Sequence, residues 1–306
     1  MTREELLTRI QREEIIQSED LSGIDLSGED LSGAVFDLVV FKDARFIEAG
    51  LSGSTFRNCE LTNADLSWAD LTSATIEKSN LSGANMTRAD LADGHVSASD
   101  FTGADFTEAD CAGVNFAGST LAGATFVKTD LAGADLSGQN LSRCAMVNAD
   151  LSGSNCTETQ FTRADLTQAN FTGAVLTKAR LDSVTAQAAD FTGGTMTQVS
   201  CRDAYLQGAF FEKSDLTMSD FSKSDMKTCI CTLAICRSTK FIDSDLTFAD
   251  LSHTDLEFAD FTGADVTRAK LHRVHEKDTI WKGSNKHKAY GTDLDLAEAE
   301  EWKPTY

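Results

Sequence analysis

Eight cysteines and five histidines are the side chains best suited to chemistry in this 306-residue chain. Cys229-Ile230-Cys231, followed by Cys236, resembles a set of metal ligands or a redox trio, because a thiolate is both a nucleophile and a soft ligand. Such a site needs thiols that converge on one accessible point, and the spacing places them elsewhere. Cys111, Cys156, Cys201, Cys231 and Cys236 fall on one periodic position, and Cys59, Cys144 and Cys229 on another. Both positions are interior by pattern, where free cysteine behaves as a small hydrophobe. His95 and His253 stand alone in the periodic region, and His272, His275 and His287 follow it. Paired carboxylates occur everywhere, so none is singled out, and no glycine-rich phosphate loop precedes a helix. The expectation is a protein with no catalytic centre, no cofactor and no metal.

The position that absorbs the cysteines is the centre of a five-residue period. Every fifth residue from Leu21 to Leu271 is apolar, through Leu26, Leu31, Phe36, Phe41 and Phe46 to Phe261 and Val266, with Ala186 the weakest member. That makes 51 consecutive units without insertion or deletion. A helix repeats every 3.6 residues and a strand every 2, so the period fits neither and points to a solenoid built from short corners. Two residues before the centre, from Ala34 to Ala269, stands an uncharged and almost always small residue, such as Ala64, Ala69, Ala74 and Ser79. One large and one small inward residue per unit would fill a narrow core densely. Asp or Asn before the centre, and Ser or Thr followed often by Gly after it, supply a turn in every unit.

Units such as Ala64-Asp65-Leu66-Ser67-Trp68, Ala104-Asp105-Phe106-Thr107-Glu108 and Ala134-Asp135-Leu136-Ser137-Gly138 resemble the pentapeptide-repeat family, whose motif is A-(D/N)-L-x-x. The resemblance covers residues 19–271. It implies an all-β solenoid, a right-handed quadrilateral β-helix with four units per coil. Residues 1–18 are then expected to form an N-terminal capping helix and residues 272–306 a C-terminal cap. Thr2 and Glu5 make a capping box, and Leu6, Leu7, Ile10 and Ile15 form an apolar face that would cover the first coil. In the tail, Arg273, Lys277, Lys282, Lys286 and Lys288 give way to Asp293, Asp295, Glu298, Glu300 and Glu301, and Pro304 is the chain's only proline. Trp281 and Trp302 need cover, on the last coil or in a homodimer made through the tail.

Net charge is −21, and residues 20–271 hold 18 Lys/Arg against 36 Asp/Glu. A surface this acidic repels nucleic acid and anionic membrane and favours partners with basic or apolar surface. The N-terminus begins no signal peptide and no apolar run approaches a membrane span, so a cytoplasmic setting is expected, with export open only to a system that needs no cleaved signal.

Two outward features could serve a partner. With four units per coil, Asp70, Asp90, Asp110, Asp130, Asp150, Asn170 and Asp190 form a column at ~4.8 Å spacing, either as an anionic stripe or as ordinary Asx turns. Tyr205, Phe210, Ile230 and Ile235 occupy the pre-centre position where Asp or Asn is usual, with Phe210 and Ile230 in one column. Such neighbours suggest a contact surface or a local packing variation. Trp68, Phe248 and Phe258 also point outward. The reading is a non-enzymatic scaffold that displays surfaces to proteins. The long unbroken array and the tail ending Ala297-Glu298-Ala299-Glu300-Glu301-Trp302 are similar to members associated with effector loading in bacterial type VI secretion. The alternative that the resemblance implies is a DNA mimic that binds type II topoisomerase (gyrase) and modulates quinolone sensitivity. Host-targeted effectors are a third group of the family, ranked lower.

Overall fold

The computed structural model describes residues 1–302, so Pro304 lies outside the described residues. It divides into two compact units, Met1–Asn170 and Phe171–Tyr306. Both use one construction. A pre-centre residue pairs in parallel with the residue twenty places on, as Asp65 does with Asn85 in the first unit and Asp215 with Ile235 in the second. Twenty residues are four five-residue units, so each coil has four sides.

The corners follow from the turn residues. The amide of Ala64 donates to the Leu61 carbonyl at 2.9 Å, and that of Ala84 to Leu81 at 3.0 Å, closing a tight turn around each centre. The residue two places after the centre takes a left-handed φ, +55° at Asn63 and +67° at Gly83. Gly, Asn and Asp bear that conformation at least cost. At Gly83 a side chain would also collide with the neighbouring coil, since a Cβ there would lie 2.6 Å from Asn63 Oδ1.

One side of the first unit departs from this scheme. Strands β1 (Ile16–Gln17), β2 (Val35–Asp37), β3 (Thr55–Arg57), β4 (Thr75–Glu77) and β5 (His95–Ser97) form a parallel sheet in sequence order. After β3, β4 and β5 the small-slot amide turns away from its own corner. The amide of Cys59 donates to Ser79 Oγ (3.0 Å), that of Ser79 to Ser99 Oγ (3.1 Å), and that of Ser99 to Ser119 Oγ (3.2 Å). The Ser79 and Ser99 hydroxyls donate in turn to Phe56 and Ile76 carbonyls one coil back. A column of hydroxyls thus replaces the turn bonds that the extended backbone gives up.

The core is the two inward positions stacked coil upon coil. Phe171, Phe191 and Phe211 stack at 5.0 and 5.1 Å, and Phe221, Phe241 and Phe261 at 5.7 and 4.7 Å. All eight cysteines are buried and unpaired. Burial raises their thiols, that of Cys156 to about 12 and that of Cys59 to about 11, which keeps them protonated and inert.

Both ends differ in detail from the pattern reading. Helix α1 spans Arg3–Gln11, with the Thr2/Glu5 capping box formed and only Leu6 buried. Ile15 is exposed, because residues 16–17 already belong to the first coil as β1. At the other end the change of composition after Leu271 is not a change of fold. His275 pairs with Asp255, Ile280 with Asp260 and Tyr290 with Lys270, so coil structure runs on to Tyr290. The centres of this last coil are Leu271, Glu276, Trp281 and Lys286. The Trp281 indole lies 4.3 Å over the Phe261 ring, its N–H donates to Glu276, and Lys286 stands 4.7 Å above its other face while pairing with Glu276. A half-buried aromatic under an ion pair finishes the core with a polar outer surface, as an end coil requires. Trp281→Ala should therefore lower stability by about 3 kcal/mol. Thermal melts would show it, and an unchanged melting temperature would mean that the core is closed by something else. After the 3-10 turn Lys286–Lys288, helix α2 spans Leu294–Glu301.

Candidate functional site

The acidic column exists in the first unit. Asp70, Asp90, Asp110, Asp130, Asp150 and Asn170 pair successively. Each aspartate uses Oδ1 to accept the amide two residues on, at 3.0 Å from Thr72, Ala92 and Ala112 and 2.9 Å from Ala132 and Ser152. These are Asx turns, and the bonds they accept offset the repulsion between stacked carboxylates. Elsewhere on the surface acids are neutralised, as in Asp25–Arg45 and Arg88–Glu108–Lys128. Among the described residues the five column aspartates have no ion-pair partner. Asp190 belongs to the second unit, where it pairs with Phe210.

Of the four outward apolar residues, two come together. Phe210 pairs with Ile230 on adjacent coils, and Ile230 with Asp250. Phe210 is 38% exposed and Ile230 half-buried. Leu233 and Phe248, both exposed, stand at the flanking corners. Tyr205 sits on a neighbouring face between Thr185 and Asp225, and Ile235 on another between Asp215 and Asp255. Each of those two has polar residues before and after it in its column, so the one stacked apolar pair among the four is Phe210 and Ile230. Trp68 is covered on one face by Arg88, whose guanidinium lies 4.5 Å from the ring.

The structure adds a cluster that the pattern did not reveal. His253 is not alone: its ring meets that of His272 edge-on at 5.1 Å, and α2 brings Glu300 to both. Glu300 Oε1 lies 3.2 Å from His253 Nε2, and Oε2 lies 3.3 Å from His272 Nε2 and 3.2 Å from Arg273 Nε. Partial burial opposes ionisation of Glu300, but the His272 hydrogen bond and the positive field of its neighbours, the Arg273 guanidinium among them, outweigh it and hold the carboxyl below the usual range. Two imidazoles and a carboxylate could in principle ligate a metal. His272 argues against it. Its Nδ1 accepts the Asp293 amide at 3.1 Å, so the proton of the neutral ring sits on Nε2 and points at Glu300. A metal would need that Nε2 lone pair, and Arg273 would add a second cation. The cluster holds the carboxylate of the chain's own Glu300. No sequence period could find it, because Glu300 lies outside the array.

Parallel coils of four five-residue units with a continuous two-position core define a β-solenoid, and the chain belongs to the pentapeptide-repeat family. Models described as pentapeptide repeats match residues 20–58, 129–168, 159–198, 196–230 and 234–275, and one described as a pentapeptide repeat region matches residues 49–126. The fold is accordingly the right-handed quadrilateral β-helix of that family. Similar solved structures include a trypsin-treated variant of QnrB1, a plasmid-mediated fluoroquinolone resistance protein, at 22% identity over 54% of this chain and 82% of that one, with TM-score 0.44. Rfr23 from the cyanobacterium Cyanothece 51142 is 24% identical over 39% of this chain and 90% of that one, with TM-score 0.32. HetL from Nostoc sp. Strain PCC 7120, involved in heterocyst differentiation regulation, is 22% identical over 93% and 96%, with TM-score 0.21. No curated protein matches the chain. Among the described residues no helix is long and apolar enough to cross a membrane.

Proposed function

We propose that this protein is an adaptor: a protein-interaction scaffold that captures a protein partner on the Phe210/Ile230 face. The observation that carries the reading is the pairing of these two side chains on adjacent coils, at positions that hold Asp, Asn or another polar residue on most other coils. On a surface this acidic, adjacent outward-facing apolar side chains are costly for solubility unless a partner covers them. Resemblance of the long unbroken array and acidic tail to secretion-associated members makes loading of a bacterial type VI effector the specific form of the proposal. Capture from native lysate with the purified chain, read by mass spectrometry, tests it: a toxin or secretion-apparatus protein supports the adaptor, and topoisomerase subunits overturn it.

A second reading, mimicry of DNA toward gyrase, is favoured by one observation. The first unit carries 11 Lys/Arg against 27 Asp/Glu, a net −16, and its column aspartates lack cationic partners. Changing Asp90, Asp110, Asp130 and Asp150 to Asn would then weaken binding to a basic partner at least tenfold at low salt, with the difference shrinking as salt rises. A supercoiling assay with the wild type and this variant checks it. Supercoiling untouched by either protein would remove gyrase as a target.

A further inference from the structure

One wall of the first unit comes apart at a single place. Every pre-centre residue from Asp20 to Asp150 pairs with the residue twenty places on, except Thr120, whose partner would be Asn140. Among the described residues, the amides of Gly118, Leu121, Gly123 and Asn140 make no backbone hydrogen bond. Their equivalents one coil on all do. Gly138 donates to Thr157 at 2.9 Å, Leu141 to Gln160 at 2.8 Å, Arg143 to Thr162 at 3.1 Å and Gln160 to Gln139 at 2.9 Å. A cavity of about 300 Å³ lies along the gap, between residues 118–122 and 137–140. The walls on either side stay shut, with Asn115 paired to Asp135 and Thr125 to Ala145. So does the opposite wall, where Asp110 pairs with Asp130 and Asp130 with Asp150.

The gap coincides with an unusual occupant of the small inward slot. From Ala34 to Ala269 that slot holds one glutamine, Gln139, and it is buried. Gln139 takes the place after Ser119 in the hydroxyl column. Elsewhere a threonine in the slot gives its one proton to one carbonyl, as Thr129 does to Phe106 and Thr159 to Leu136, both at 2.7 Å. The glutamine amide has two protons and uses both. Its Nε2 donates to the Phe116 carbonyl at 2.9 Å and to the Ser119 carbonyl at 3.0 Å. The second carbonyl is the one that the Asn140 amide would take, by the pattern of Thr120 on Ser99 and Gln160 on Gln139. A side chain longer than the slot's usual occupants thus stands between two coils and holds the acceptor that would join them.

We propose that Gln139 is a wedge that makes this wall a hinge. The first unit opens and closes here about the paired aspartates of the opposite wall, and the acidic column bends with it. In the closed arrangement Asn140 takes back the Ser119 carbonyl, Leu121 donates to Asn140, and Gln139 keeps only its bond to Phe116. The backbone bonds favour closure and the bulk of Gln139 favours opening. The hinge lies in the first unit and involves neither Phe210 nor Ile230, so its failure and that of the adaptor reading are distinguishable.

Hydrogen exchange on the full-length chain, resolved amide by amide, tests the proposal. Leu121 and Asn140 should exchange about a hundredfold faster than Leu141 and Gln160. Gln139→Thr keeps a donor for the Phe116 carbonyl and frees that of Ser119. It should slow exchange at Leu121 and Asn140 by about tenfold or more and leave Leu141 and Gln160 unchanged. Gln139→Ala, which supplies the slot's commonest residue, should act in the same direction. A cross-link reads the movement itself. Ala122→Cys with Ser142→Cys, across the gap, should form a disulfide faster when combined with Gln139→Thr than alone. Ala112→Cys with Ala132→Cys, on the opposite wall, should react equally in both backgrounds. Wild-type protection of Leu121 and Asn140 equal to that of Leu141 and Gln160 would overturn the proposal, because the wall is then shut in solution. Fast exchange that persists in both Gln139 variants would overturn it too, since the opening then owes nothing to the glutamine.

Discussion

Replacing Phe210 and Ile230 together by aspartate should abolish capture of the protein partner and leave the fold intact. Neither side chain is part of the core, and their backbone pairing with neighbouring coils does not depend on side-chain type. Aspartate is the residue already found at this position on many coils, including Asp190 and Asp250 in the same column. The substitution therefore restores the local pattern of the family while removing the apolar anchor. A pair of central apolar anchors is typically worth about 2–4 kcal/mol or more each in a protein interface, so the expected loss is at least a hundredfold in affinity. Tyr205→Asp and Ile235→Asp, on other faces, serve as controls and should change binding little. Retention of partner by the Phe210/Ile230 double variant would remove this face from consideration.

The second large effect concerns the hydroxyl column. Ser79→Ala should cost about 1–3 kcal/mol, because the Cys59 amide loses its acceptor in a buried place and the Phe56 carbonyl loses a donor. Ser99→Ala should cost a similar amount through the Ser79 amide. Ser54 occupies the same kind of small slot, yet its buried hydroxyl has no partner, while its amide keeps the ordinary turn bond to Leu51. Ser54→Ala should therefore be neutral or slightly stabilising. Denaturant unfolding of the three variants distinguishes them. Equal losses at Ser54 and Ser79 would show that the slot is sensitive to size alone and that the hydroxyl bonds are incidental.

These serines also show how far the sequence could be read. The five-residue period identified the slot, its inward direction and its limit on size, because burial acts on every residue alike. It could not separate Ser79 from Ser54. That difference depends on whether a given corner closes its turn or opens into a strand, which is settled between coils twenty residues apart. The cysteines were legible for the same reason as the core, since all eight lie on inward positions. The aspartate column was legible because stacking follows arithmetically once four units make a coil. Glu300 was not legible: it carries no periodic signal, and only the seating of α2 brings it to His253 and His272. Coil structure past Leu271 was hidden because Glu276 and Lys286 are charged residues at centres, and only their pairing above Trp281 makes that tolerable.

The twenty-residue pairing has a further consequence for how this surface can change over time. In the second unit, Phe210, Ile230, Asp250, Lys270 and Tyr290 are successive rungs of one column, so the apolar patch and the seat of α2 share a face. Gain or loss of a whole coil between them would alter only their separation. Gain or loss of a single five-residue unit would turn everything beyond it by a quarter revolution and carry the α2 seat to the adjacent wall, with the core undisturbed. Length and angular phase are thus independently adjustable, and a lineage can re-aim one surface feature against another by duplicating or deleting modules in a chain whose interior does not register the change.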